Sequence, residues 1–241
     1  METATLPTTP EERSVFAFAP LAVQQYLDNE APAIEGWLST TSQMMFVVLS
    51  QAQHAAGLSG DLVEVGVWEG KTLLLFAHLA TGDERAVGYD IEMRPRLIER
   101  SGRPDVVDRI QLHVCDTFAM TIDDFARRNG IRIFHVDGNH DKQHVMHDLH
   151  LACEATDARG VVVLDDFFSP TWPGVTAALF ECFEQKRNSG FVPFALAGSK
   201  CWLARPPMVE TYKKNCQERM PIAPISPGDQ SLFGETLLIF S

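Results

Sequence analysis

Paired cysteines, long apolar runs and basic stripes are all missing from this sequence, and each absence removes a class of function. The five cysteines (Cys115, Cys153, Cys182, Cys201 and Cys216) are odd in number and widely spaced, with no C-x-x-C pair. A disulfide framework or a cysteine zinc site is therefore not expected; free, mostly buried thiols in a reducing compartment are. No stretch approaches the roughly 18 apolar residues of a membrane span. Acidic residues outnumber basic ones by 32 to 20, giving a formal charge of -12 with no basic stripe to neutralise phosphates, so nucleic acid is not an expected partner. Met1 to Pro20 carries Glu11 and Glu12 ahead of any basic residue and has no apolar signal core, which makes a cytoplasmic protein the expectation.

Several catalytic signatures are absent too. No G-x-S-x-G nucleophile elbow occurs. Gly70-Lys71-Thr72 lacks the earlier glycine that a phosphate-binding G-x-x-x-x-G-K-[ST] loop requires, because Val65 stands there. His140, His144 and His147 share one helix face by spacing, but without the H-E-x-x-H of a zinc peptidase they read as a helix face bordering a site.

What is present is alternation. Residues 1–57 read as a helical extension, polar at first, with a helix from Trp37 to Ala56, N-cap candidates at Ser39, Thr40 and Thr41, and Gly57 as its C-cap. From Asp61, short apolar runs alternate with helical segments. Strands are expected at Asp61–Gly66, Ala86–Asp90, Ile110–Cys115, Ile131–Val136 and Gly160–Leu164. Helices are expected at Lys71–Leu79, Arg94–Ser101, Ile122–Asn129, Lys142–Thr156 and Val175–Lys186. The tail adds strand candidates at Val192–Leu196, Lys200–Leu203 and Glu235–Phe240, a helix near Glu210–Arg219, and a Pro-rich loop over Pro221–Gln230. Such alternation predicts one α/β domain over residues 58–241, a Rossmann-like, doubly wound and mostly parallel sheet covered on both faces. The Val-rich fourth and fifth strands suit its centre.

The first strand runs into Glu64-Val65-Gly66-Val67-Trp68-Glu69-Gly70-Lys71-Thr72. Glycines belong where the chain turns sharply and a ligand must approach the backbone. A dinucleotide fingerprint has a further glycine and no acid. Here Glu64 would repel a pyrophosphate and suit a cationic centre, which counts against a nicotinamide-dependent oxidoreductase. Asp90 ends the second strand 20 residues after Gly70, the interval at which a carboxylate receives ribose hydroxyls. Asp116 follows the third strand, where it could accept from an adenine amino group. Taken singly, the glycines also suit a plain βα turn and Asp90 a helix N-cap.

In this order, Glu64-x-Gly66-x-x-x-Gly70, Asp90 and Asp116 resemble the S-adenosylmethionine (SAM) motifs of class I methyltransferases. The resemblance covers roughly Asp61 to Asp166, with the tail strands supplying that family's reversed seventh strand and so a seven-stranded sheet. It implies cofactor contacts at Glu64, Gly66, Val67, Trp68, Gly70 and Thr72 in the loop, at Asp90 and Ile91, at Asp116 and Thr117, and at Asp137. A homo-oligomer is a further expectation it carries, as is a small-molecule acceptor. A SAM-binding protein without catalysis, acting as a regulator, remains the alternative to an enzyme.

Acids also end the fourth and fifth strands, in His135-Val136-Asp137-Gly138-Asn139-His140 and Leu164-Asp165-Asp166-Phe167. On neighbouring strands, Asp137, Asp165 and Asp166 would converge, and carboxylates so placed repel one another unless a proton or cation intervenes. A hard divalent cation such as Mg²⁺ prefers such oxygen donors. The stretch Val136 to Leu149, with V-L-D-D-F at Val163 to Phe167, resembles the macrocin-type and aminocoumarin sugar O-methyltransferases. That resemblance implies Mg²⁺ on Asp137, Asp165 and Asp166. Some members place a second Asp where this chain has Asn139, which cannot act as a base. His140 is then the candidate proton acceptor, with Asp137 as its catalytic companion and Asp141 and His144 behind. Phe167, Phe168, Trp172 and Pro173 are candidates for an acceptor pocket wall or for local packing, and Trp37 with Ser39 to Thr41 for a lid.

Overall fold

The computed structural model describes residues 14–92, 103–125 and 129–241. The expected helix over Arg94–Ser101 and part of that over Ile122–Asn129 lie outside the described residues. Seven α-helices are described: α1 (Leu21–Gln25), α2 (Thr40–Ala55), α3 (Lys71–Leu79), α4 (Pro104–Val107), α5 (Lys142–Ala155), α6 (Pro173–Glu184) and α7 (Pro206–Arg219). The strands are β1 (Asp61–Val65), β2 (Ala86–Asp90), β3 (Ile110–Val114), β4 (Ile131–Val136), β5 (Val161–Leu164), β6 (Val192–Ala197), β7 (Lys200–Ala204), β8 (Ser226–Leu232) and β9 (Glu235–Phe240).

All nine strands form one sheet, ordered β3-β2-β1-β4-β5-β7-β6-β9-β8. The pairings from β3 through to β5 are parallel, while β7 runs antiparallel to both β5 and β6. The sheet thus has nine strands where seven were expected. The extra pair is a β8–β9 hairpin, joined to β6 through β9. The Pro-rich segment read as a loop over Pro221–Gln230 is the source of the miss, since β8 begins within it. β8 is an edge strand, where proline costs no ladder hydrogen bond, and its register shifts between Pro227 and Gln230.

Alternation along the central strands builds two cores. In β5, Val161 and Val163 join one apolar cluster and Val162 and Leu164 the other. In β7, Trp202 and Ala204 share the first cluster, Cys201 and Leu203 the second. The first cluster packs α2, α3 and α7 around Phe46, Phe76 and Trp202; the second packs α5 and α6 around Phe134, Leu149 and Leu179. Helix α2 starts where Ser39 accepts from the Ser42 amide and ends one residue before Ala56, with Gly57 left-handed at φ +67°. Its buried face makes the N-terminal segment part of the first core. Helix α7 begins four residues earlier than expected because Pro206 and Pro207 occupy its first turn, where proline is pre-organised. Ile122–Phe125 is a short 3-10 turn. No helix among the described residues is long and apolar enough to cross a membrane.

Candidate active site

The chain order reverses between β1 and β4, and ligands in such sheets sit beyond the strand ends at this switch point. A cleft of about 900 Å³ opens there. Glu64, Gly66, Val67, Trp68, Thr72, Asp90, Ile91, Asp116, Thr117, Asp137, His140, Asp165 and Asp166 all line it; Gly70 does not, and instead caps α3 with φ +83°.

Gly66 explains why a glycine must follow β1. Its φ is +84°, and a Cβ there would lie 1.9 Å from the Asp137 carbonyl oxygen. The β1 and β4 ends are drawn this close by the Asp137 amide, which donates to Val65 O at 2.9 Å. Asp90 braces the same loop: Oδ2 accepts from the Val67 and Trp68 amides at 2.8 and 3.0 Å, and Oδ1 from Glu92 N at 3.0 Å. The Asp116 carboxylate accepts from the Phe118 amide at 3.0 Å while still facing the cleft.

Glu64 is 1% exposed. Its Oε1 lies 3.1 Å from Nδ1 of buried His135, and its Oε2 has no hydrogen-bond partner among the described residues. Burial raises its carboxyl well above the usual range, against the pull of the Lys200 ammonium. Burial likewise pushes His135 down to about 3, so its ring is neutral. A buried carboxylate oxygen without a partner, facing a cleft, is a place for a cationic ligand group.

At the β4 and β5 ends, Asp137, His140 and Asp166 present donor atoms within 4.8 Å of one another. His140 Nε2 lies 2.9 Å from Asp166 Oδ2, and its ring stacks on Trp172 with centroids 4.4 Å apart. Asp165, expected to share this cluster, is hydrogen-bonded to the Asp137 carboxyl and also paired with the buried ammonium of Lys200. Asn139 accepts from the Asp141 amide at 2.7 Å, a turn role ahead of α5. Trp68, Asp166 and Ser199 line the cleft with φ of 50°, 51° and 64°. Left-handed backbone at non-glycine residues is costly and clusters at functional sites.

The N-terminal segment reaches the cleft as well. Tyr26 Oη donates to Lys71 O at 2.5 Å and Lys71 Nζ to Gly36 O at 2.7 Å. This holds Glu35, Gly36 and Trp37 at the rim, with Trp37 6.5 Å from Trp68 between ring centroids. The expectation at Trp37 therefore gains a position, whereas Ser39 and Ser42 serve the α2 cap and Ser42 Oγ donates to Gly198 O. Phe167 is buried in the core, while Trp172 lines the cleft. Lys200 and His135 were not singled out by sequence. Their one signal was an imidazole inside an otherwise apolar strand and a lysine at the start of another.

Asp148, behind the Thr117 end of the cleft, is 3% exposed, and burial pushes its carboxyl up to about 6 against the Thr117 hydroxyl. Between the ordinary carboxyl range and pH 6 the native state then holds a proton that the unfolded chain has lost, so stability falls as pH rises through about 6. Asp148→Asn removes this penalty. We expect a gain of about 2 kcal/mol at pH 8 that vanishes near pH 4, read from urea unfolding at both values; a loss at pH 8 would contradict it.

Residues 63–167 match the family of the methyltransferase domain. No curated protein matches the chain by sequence. Among solved structures, the O-methyltransferase NovP superposes with a TM-score of 0.52 at 13% identity, over 68% of this chain and 80% of that one. CalS11, a TDP-rhamnose 3'-O-methyltransferase of calicheamicin biosynthesis, gives 0.53 at 16%, over 83% and 96%. The MycE methyltransferase of mycinamycin biosynthesis, in complex with Mg and SAH, gives 0.54 at 16%, over 78% and 54%. At these identities the structures establish the Rossmann-like fold.

Proposed function

We propose that this chain is a class I, SAM-dependent methyltransferase and that it methylates a hydroxyl of a small natural-product or sugar-like acceptor with the help of a divalent cation. The observation that carries the reading is the convergence of Asp137, Asp166 and His140 beside the glycine loop, inside one cleft. The O-methyltransferase and Mg named for its structural neighbours support it.

SAM supplies a methyl group on a positively charged sulfur, and a divalent cation supplies Lewis acidity that lowers a hydroxyl pKa. The chain's own residues do the rest. Gly66 lets the ends of β1 and β4 close against each other at the cleft, and Glu64 presents its unpartnered oxygen to a cationic group. Asp90 and Asp116 sit at the positions that receive ribose and adenine. Asp137 and Asp166, with Asp165 beside Asp137, would hold the cation through oxygen, and His140, whose Nε2 lies 2.9 Å from Asp166 Oδ2 and whose ring stacks on Trp172, is the base placed to take a proton from an acceptor hydroxyl. Trp37 and Trp68 stand exposed at the rim of the cleft, where a bound ligand would cover them.

Calorimetric titration with S-adenosylhomocysteine (SAH), once with Mg²⁺ and once with EDTA, tests the cofactor site. We expect micromolar binding in both buffers. Folded protein that binds SAH in neither overturns the proposal, and NADH becomes the next ligand to titrate.

A further inference from the structure

Two large aromatic side chains stand in water at the cleft mouth. Trp37 and Trp68 both line the cleft, yet they are 83% and 41% exposed, with ring centroids 6.5 Å apart. Apolar rings grouped in water are costly until something covers them. The backbone holds both in place. Trp68 sits at φ 50°, and its amide donates to Asp90 Oδ2 at 3.0 Å. Trp37 follows Gly36, whose carbonyl accepts from Lys71 Nζ at 2.7 Å. The charge of this rim has one sign. Glu35 and Glu92 are exposed and line the cleft, as does buried Glu64 with its unpartnered oxygen. The described residues of the lining include no arginine, and their one lysine, Lys71, is engaged by the Gly36 carbonyl.

Resting on the small-acceptor reading above, we propose that the acceptor is a phosphate-free ring compound carrying a protonated amine, of the amino-sugar class, and that Trp37, Trp68 and Glu35 form the subsite for that amine. The face of a tryptophan ring attracts an ammonium group, tightening binding by about two- to fivefold per ring at exposed sites. The same faces cover the apolar side of a saturated ring, which removes their own surface from water. Glu35, two residues before Trp37, adds a carboxylate of the right sign at the same rim. A phosphorylated or nucleotide-linked sugar meets the opposite situation. Its negative charges would face these carboxylates with no arginine and no unengaged lysine in the described lining to receive them. The amine sets which acceptor enters; the hydroxyl that is methylated lies elsewhere on the same molecule, towards His140.

The test is saturation-transfer NMR on the SAH-loaded protein with three probes that share one ring and differ in charge: glucosamine, glucose and glucose 6-phosphate. Glucosamine should bind about fivefold or more tightly than glucose, and glucose 6-phosphate more weakly than either. Trp37→Ala and Glu35→Gln should each bring glucosamine to within about twofold of glucose. Trp37→Phe, which keeps an aromatic face, should retain most of the preference. Because Trp37 and Glu35 are exposed, these variants should fold and bind SAH as the wild type does. The inference is overturned if glucose 6-phosphate binds as tightly as glucosamine, if the preference survives both Trp37→Ala and Glu35→Gln, or if SAH binds and none of the three sugars does. In each of those cases SAM-dependent methyl transfer stands. Absence of SAH binding to the folded wild type takes down the proposed function and this inference together.

Discussion

Asp137→Asn should lower the methyl-transfer rate by about 10³-fold while leaving SAH affinity within about threefold. The substitution keeps the shape of the side chain. It also keeps the backbone, whose amide still donates to Val65 O and whose carbonyl still abuts Gly66. What is lost is the capacity for negative charge at the point where β4 meets Asp166 and His140. Burial and the adjacent Asp165 carboxylate raise the Asp137 carboxyl well above the usual range, so its charged form needs a cation nearby. His140→Ala should cost about 10²-fold, the contribution of one positioned proton acceptor. Single-turnover assays with SAM and an acceptor, paired with SAH calorimetry, separate the roles. A fall in SAH affinity equal to the fall in rate would instead make Asp137 a contact for the cofactor's amino group. A variant retaining a tenth of the wild-type rate would remove Asp137 from the chemistry.

Much of the site was legible because its determinants are local. The turn after β1 demands glycine at position 66 whatever the rest of the chain does, and Glu64, Asp90 and Asp116 follow from strand ends that periodicity alone marks out. The parts that were not legible depend on pairing between distant segments. Asp165 and Asp166 are identical residues side by side, but successive side chains at a strand end point to opposite sides. Asp165 meets Lys200 of β7 and the Asp137 carboxyl, and Asp166 meets His140 beyond β4. Nothing near Asp165 in sequence announces Lys200, 35 residues on, and a lysine opening a strand reads as solvated until the ladder is known. Strand β9 was expected at its observed bounds, but its partner β8 was missed for a related reason: Pro227 argues against a strand in general but not against an edge strand. The Trp37 rim is a third case. Its position follows from Tyr26 and Lys71, which hold the N-terminal segment to the start of α3.

The other large effect is on stability, at the far end of β4. Arg132 is fully buried and makes a two-pronged contact with Glu84, Nε to Oε1 at 2.9 Å and an Nη to Oε2 at 3.1 Å. Its remaining donors reach Ser50 Oγ, Gln53 Oε1 and Leu79 O, while Glu84 also accepts from the Gly60 and Thr81 amides. One ion pair thus ties α2, α3 and the loop before β1 to β4. Although burial alone would raise the Glu84 carboxyl, the His54 ring and the Arg132 guanidinium hold it well below the usual range. Arg132→Met removes the cation and leaves Glu84 charged and buried, at a cost of about 3–5 kcal/mol. For a chain of this size that corresponds to a melting temperature lower by about 10 °C or more. Glu84→Gln should cost a similar amount, because it leaves Arg132 buried without its carboxylate and offers one acceptor oxygen where the Gly60 and Thr81 amides use two. The pH dependence has a definite sign. A carboxyl held low in the native state stabilises fully above its unfolded pKa, and that contribution is lost as pH falls through the acid range. The gap between wild type and Glu84→Gln should therefore be widest near neutral pH and close towards pH 3. Five residues of strand, about 16 Å, separate Arg132 from Asp137, so SAH affinity of the folded Arg132→Met protein should equal that of the wild type. Calorimetric melting from pH 3 to 8 reads both effects. A difference that widened on acidification would mean that Glu84 is not held low and that the bridge contributes little.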